Sequence, residues 1–263
     1  MAPLALEGRV AIVTGSSRGI GKVIALRLAG LGAAVVVCAR SETAGALPGT
    51  IGETASAITA TGGRALPCRV DLAEDADLRR VVGTALAEFG RIDILVNNAV
   101  LVGPRQQFLG GTPEFFDLTY RVNVRGPYVL AQMVSSQMAE QGGGCIINIT
   151  SGAASGSPPA RRGDHARLDP MDPSYGITKA ALDRMTTAYA AELGRHNISV
   201  VSVSPGLVAT ERIRQAAIRP DVDLSRAESP EVIAQAVALL CESGMQYSGQ
   251  ILRARDLVGE KSP

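Results

Sequence analysis

Short runs of β-branched and aliphatic residues recur along the chain: RVAIVTG (9–15), AAVVVCA (33–39), ALPCRVD (65–71), IDILVNN (92–98), CIINIT (145–150), ISVVSVS (198–204) and GQILRA (249–254). Most are apolar nearly throughout, the pattern of strands covered on both faces. Helical periodicity fills the gaps. In DLRRVVGTALAEF the residues Leu78, Val81, Val82, Ala85, Leu86 and Phe89 mark one face, with Arg79, Arg80 and Glu88 off it. In GIGKVIALRLAGLG the stripe is Ile20, Val23, Ile24, Leu28 and Leu31, with Gly32 as a stop. Further helices fit about 51–61, 113–139, 174–193 and 230–242. Strand–helix alternation of this kind requires parallel strands joined by crossover helices, so the fold class is a doubly wound α/β sheet of about seven strands. No internal linker or repeat divides the chain, and residues 1–263 read as one domain. An irregular insertion at about 152–174 interrupts the pattern, and the tail from Leu257 is expected to fray.

Composition narrows the classes. With 46% hydrophobic and 19% charged residues the chain is globular, and a net charge of +1 offers no broad field to nucleic acid or a membrane surface. The N-terminus MAPLALEGRVAIV has no basic segment leading into a long apolar run, and no run reaches the roughly 18 residues of a spanning helix. A cytoplasmic location is therefore expected. Cys38, Cys68, Cys145 and Cys241 are far apart and sit mostly in apolar segments, as buried free thiols do. No Cys/His cluster suggests a metal, and His165 and His196 are the only histidines.

Four segments carry candidate chemistry. The first strand runs through TGSSRGIG (14–21) into a helix, where Gly15, Gly19 and Gly21 allow a tight turn and bring backbone N–H groups close to an anion. The helix N-terminus adds its dipole, so a pyrophosphate fits there; an ordinary glycine-rich turn is the alternative. In DPSYGITKAAL, Tyr175 and Lys179 stand one helical turn apart. A phenol with a pKa near 10 is a poor base, and lowering that by about three units requires about 4 kcal/mol. A neighbouring ammonium and a second nearby cation could supply it in a dry cleft. Ser151 closes the fifth strand at the carboxyl edge, placed to hydrogen-bond a reacting oxygen or simply to end a strand. Asn123 interrupts an apolar helical pattern. Asparagine is unfavourable there, which points either to a kink that turns a carbonyl toward water or to a hydrogen-bonded core side chain.

The ordered set of Gly-x-x-x-Gly-x-Gly, NNA (97–99), Asn123, Ser151, Tyr-x-x-x-Lys and SPGLVAT (204–210) resembles the short-chain dehydrogenase/reductase family from Val10 to about Gly249. The resemblance implies a single Rossmann-type dinucleotide-binding domain. It assigns Asn123 to a water relay through Lys179, Ser151 to polarising the substrate oxygen, Tyr175 to acid/base catalysis, and Lys179 to lowering the tyrosine pKa and contacting ribose. It places Gly15, Ser17, Arg18, Gly19, Ile20 and Gly21 along the pyrophosphate and ribose, Asp71 and Leu72 by the adenine, and Asn98 and Ala99 by its ribose. Pro205, Gly206, Val208 and Thr210 fall beside the nicotinamide. The family's dimers and tetramers make a homodimer or homotetramer the expected assembly.

The cofactor preference rests on the end of the second strand. An acidic residue there grips the ribose 2′-OH of NAD, whereas this chain has Arg40, with Arg18 nearby, which suits the 2′-phosphate of NADP(H). The expected activity is NADP(H)-dependent interconversion of a carbonyl and a secondary alcohol, on a small-molecule substrate that the sequence does not name. The rival readings are a non-catalytic dinucleotide-binding regulatory or scaffold protein and, more remotely, a hydrolase. Three departures from the family pattern stand out. Val100 replaces a glycine usual there, which implies a narrower pocket. Tyr175 follows Ser151 by 24 residues, about twice the usual interval, and Arg161, Arg162 and His165 in the excess could contact a polar substrate. The lid region at about 210–229 is short, and Arg253 and Arg255 replace an apolar ending of the last strand.

Overall fold

The computed structural model describes residues 4–43, 45, 47–103, 108–155, 173–211, 213 and 224–259. Its centre is a seven-stranded parallel sheet of β1 (Val10–Thr14), β2 (Ala34–Ala39), β3 (Arg64–Arg69), β4 (Ile94–Asn97), β5 (Gly144–Ile149), β6 (Ile198–Ser204) and β7 (Ile251–Arg253). The spatial order is β3-β2-β1-β4-β5-β6-β7, so the winding reverses between β1 and β4. Each apolar run of the sequence supplied one strand. Alternation explains why these runs are apolar on both sides: Ala11, Val13, Ile147, Ile149, Val201 and Val203 point into one core layer, while Ile12, Ile146 and Val200 point into the other. Each fully buried aliphatic side chain of this kind contributes roughly 1.5–3 kcal/mol. The two edge strands are the exceptions: β3 exposes Arg64, Pro67 and Arg69, where a proline costs no ladder bond, and β7 exposes Ile251 and Arg253.

The first core layer is closed by α1 (Gly19–Gly30), α2 (Ile51–Ala60), α7 (Pro230–Ser243) and α8 (Ala254–Gly259). The second is closed by α3 (Asp75–Phe89), α5 (Gly126–Glu140) and the later turns of α6 (Pro173–Leu193). α2 begins with a complete capping box between Thr50 and Glu53. α1 gives way at Leu31, and Gly32 follows with φ +97°, a conformation that suits its lack of a Cβ.

Two expectations change. The helix expected over 113–139 is α4 (Pro113–Tyr120), a π-helical turn over Arg121–Arg125, and then α5. Asn123 sits inside that turn, where the wider spiral accommodates it. Of the tail expected to fray from Leu257, residues 257–259 instead belong to α8, because Ala254 and Leu257 are buried against the first core layer, and the rest lies outside the described residues. Of the insertion at 152–174, Gly152–Ser155 form a short 3-10 turn and Pro173 opens α6. The remainder, with Arg161, Arg162 and His165, lies outside the described residues. In the lid region the isolated pairing of Val208 with Glu228 is described, as is the turn Leu224–Arg226. No helix among the described residues is long and apolar enough to cross a membrane, and all four cysteines are buried free thiols.

Candidate active site

The carboxyl ends of the strands open into a cleft of about 890 Å³, placed where the winding reverses. Its floor at β1 is held by Thr14. The Thr14 hydroxyl donates to the Val96 carbonyl at 3.2 Å and accepts from the N–H groups of Asn98 and Ala99, each at 3.0 Å. The Asn98 amide in turn donates to the Thr14 carbonyl at 2.8 Å. The strand-four Asn98-Ala99 pair thus braces the glycine turn from beneath. Gly15 has φ +68°, and a Cβ there would lie 2.8 Å from the Ala99 Cα. Gly21 also lines the cleft, and its missing Cβ would meet the Gly15 carbonyl oxygen at 2.3 Å, so it serves helix-to-turn packing as well. No side chain caps the first turn of α1, which leaves its N–H groups to the cleft.

At the adenosine end, Arg18 donates to the Ser41 hydroxyl at 2.9 Å and to the carbonyls of Leu47 and Gly49 at 3.0 and 2.9 Å. Arg40 is exposed at the end of β2, beside Ser41, and lines the same cleft. Asp71 and Leu72 line it from the end of β3. Ser41 was missed from the sequence; its position directly after Arg40 was the available signal.

At the other end Ser151 and Tyr175 line the cleft, from the end of β5 and the first turn of α6. Lys179 lies behind them, 3% exposed. Its Nζ donates to the Ile149 carbonyl at 2.6 Å and stands 5.8 Å from the Tyr175 ring centroid. Burial pulls the lysine pKa down to about 8, with Asp183 opposing the shift. The amine therefore stays mostly protonated at neutral pH. Asn123 does not line the cleft. Its Oδ1 accepts from the Leu101 N–H at 2.7 Å, and its Nδ2 donates to the Leu101 carbonyl at 2.9 Å and to the Thr178 hydroxyl at 3.2 Å. The helix is distorted at Asn123, and the side chain is the hydrogen-bonded core amide of the second sequence reading, tying α6 to the segment after β4.

Pro205, Gly206, Val208 and Thr210 line the cleft beyond β6, and Thr210 and Glu211 stand over Gly19. Val100 also lines it and adopts a negative φ, since Asn197 is the one non-glycine with positive φ among the described residues. No left-handed backbone is needed where the family usually has glycine. Arg253, Arg255 and Glu228 complete the wall; Arg255 is 3.4 Å from the Glu228 carboxylate.

This combination of fold and cleft defines a dinucleotide-binding α/β protein. Residues 9–220 match the model of the short chain dehydrogenase family. A 7alpha-hydroxysteroid dehydrogenase of Escherichia coli K12 is 32% identical over 265 residues, covering 95% of this chain and 93% of the relative. An NADPH-dependent aldehyde reductase-like protein of Arabidopsis thaliana chloroplasts is 33% identical over 264 residues, covering 95% and 94%. Among solved structures, a 7 alpha-hydroxysteroid dehydrogenase complexed with NADH and 7-oxo glycochenodeoxycholic acid has a TM-score of 0.80 at 32% identity, covering 94% of this chain and 93% of that one. A putative short-chain alcohol dehydrogenase from Sinorhizobium meliloti has a TM-score of 0.81 at 29% identity, covering 96% and 97%. The chain belongs to the short-chain dehydrogenase/reductase family and is an NAD(P)-dependent oxidoreductase acting on hydroxyl groups.

Proposed function

We propose that this enzyme uses NADP(H) to interconvert a carbonyl and a secondary alcohol, with Tyr175 as the acid/base. The observation that carries the proposal is the buried ammonium of Lys179, 5.8 Å from the Tyr175 ring at the cleft. A cation held there favours the phenolate, and so eases proton exchange with the substrate oxygen. Ser151 hydrogen-bonds that oxygen and polarises it. The Asn123 side chain is fully engaged, which leaves its backbone carbonyl for the water relay toward Lys179. The glycine turn, the uncapped start of α1 and the cations of the adenosine end fit a dinucleotide. When bound, it would donate or accept the hydride. Asp71, Leu72, Asn98, Ala99 and the Pro205–Thr210 segment orient its two ends.

Arg18, Arg40 and Ser41 favour NADP(H), since two guanidinium groups and a hydroxyl gather where the ribose 2′-phosphate would lie. One relative carries NADPH in its name, while a structural neighbour was solved with NADH. The test is a panel of aldehydes and ketones followed by NADPH absorbance. Tyr175→Phe should lower kcat by about 10²–10⁴-fold. Arg40→Asp should raise the KM for NADPH by about tenfold or more while sparing NADH. A wild-type preference for NADH overturns the cofactor assignment, and Tyr175-independent turnover overturns the mechanism.

The proposal extends to a homodimer or homotetramer. α4 and α5 carry Phe116, Leu118, Tyr120 and Tyr128 at 37–45% exposure, apolar side chains suited to contact with a second copy.

A further inference from the structure

Behind the cleft, a chain of buried polar side chains crosses the sheet. Asn97 Nδ2 donates to Asn148 Oδ1 at 2.9 Å, Asn148 Nδ2 donates to the Thr186 hydroxyl at 2.9 Å, and Thr186 pairs with the Ser202 hydroxyl at 2.8 Å. The chain ends at Asp183, one turn of α6 beyond Lys179. The hydroxyls of Thr150 and Ser202 face its carboxyl. Asp183 Oδ1 is nevertheless buried with no hydrogen-bond partner among the described residues, and so is Thr150 Oγ1. A buried carboxylate oxygen without a partner is costly unless a charge compensates for it. Burial raises the pKa of the Asp183 carboxyl and lowers that of the Lys179 ammonium, and the charge of each group opposes the shift of the other.

We propose that Asp183 is a positioning residue of the reaction, a buried counter-charge that keeps the Lys179 ammonium charged and in place behind Tyr175. This rests on the reading of Tyr175 as acid/base. Thr150 at the end of β5 and Ser202 on β6 face the Asp183 carboxyl, and Tyr175 on α6 faces the Lys179 amine. Two hydroxyls and one phenol share the niche with the two charged groups. Lys179 also has the Ile149 carbonyl, which fixes the amine's position but adds no net charge. With Asp183 neutralised, burial acts on the lysine unopposed, so the amine loses its proton at a lower pH and the phenol beside it ionises at a higher one.

The experiment is an ultraviolet titration of tyrosinate in the full chain, with Tyr175→Phe subtracted to isolate Tyr175. Asp183→Asn and Asp183→Ser should each raise its midpoint by about half a pH unit or more, and Asp183→Glu should return it toward wild type. A merely structural aspartate would lower activity at every pH and leave the midpoint where it was. An unmoved midpoint in either neutral variant overturns the inference. Should neither variant fold, carbon-13 titration of the Asp183 carboxyl decides. Its midpoint must rise in Lys179→Met relative to wild type, because coupling is reciprocal, and an unchanged midpoint is the overturning result. Failure of the parent reading looks different: Tyr175→Phe would then keep turnover whatever Asp183 does.

Discussion

Lys179 is where one residue's environment has the widest effect. Its pKa is about 8 in the fold against the ordinary 10.5, because burial disfavours the charge. Between those two values the unfolded chain holds a proton that the folded chain has released, so stability rises with pH across that window. Below pH 8 the folded chain must keep an ammonium buried, and the cost is fully present. Integrated over the window, the wild type should gain about 3 kcal/mol relative to Lys179→Met, a difference read from urea denaturation at pH 7 and pH 10.5. The spacing of Tyr175 and Lys179 was legible in the sequence because an i, i+4 pair on a helix needs only local geometry. Asp183 was not, since an aspartate four residues further along a helix reads as a solvated charge until the β5 and β6 hydroxyls are placed against it. Arg18 was legible as a cation but not in its partners, which come from the segment after β2.

At the scale of elements, the alternation of apolar runs and helical stripes located all seven strands, because a parallel sheet buried on both faces writes itself as continuous hydrophobicity. A kink at Asn123 was legible, but not its π form, since that adds a residue to a spiral without changing the residue types around it. Its stability hinges on Asn123. Asn123→Ala would strip partners from both backbone groups of Leu101 and should cost about 2–4 kcal/mol in chemical denaturation. The glycine turn fails differently. Gly21→Ala drives a methyl to within 2.3 Å of the Gly15 carbonyl, so overpacking should cost about 1–3 kcal/mol and weaken NADPH binding measured by fluorescence titration. Loss of binding without loss of stability would show that the contact with Gly15 is not what this glycine serves. α8 was unreadable as structure because Arg253 and Arg255 flank its start with charge, while its anchorage comes from two residues, Ala254 and Leu257, spaced one turn apart.

For the whole molecule, the apolar surface of α4 and α5 leads to a prediction about assembly. Charge substitutions Leu118→Glu and Tyr128→Glu should shift sedimentation velocity from an oligomer toward the monomer, and a monomeric wild type would refute the assembly. Tyr128 also sits 6.1 Å from Tyr189 between ring centroids, so that surface is continuous with α6, whose first turn carries Tyr175. The family's cleft was legible through its ordered motifs; the wall built from Glu228, Arg253 and Arg255 was not, since it depends on chain ends meeting in space.

The parallel sheet holds every strand's carboxyl end at one rim, and the chain leaves that rim from β5 toward Ser155 and from β6 toward Glu211. The residues proposed to carry hydride chemistry sit on the strands and helices beneath, so selectivity is expected to vary in the segments that follow Ser155 and Glu211. Exchanging either segment with that of a relative should change which substrates are turned over and leave the strands beneath untouched, so new specificities would be reachable by cassette replacement rather than by rebuilding a core.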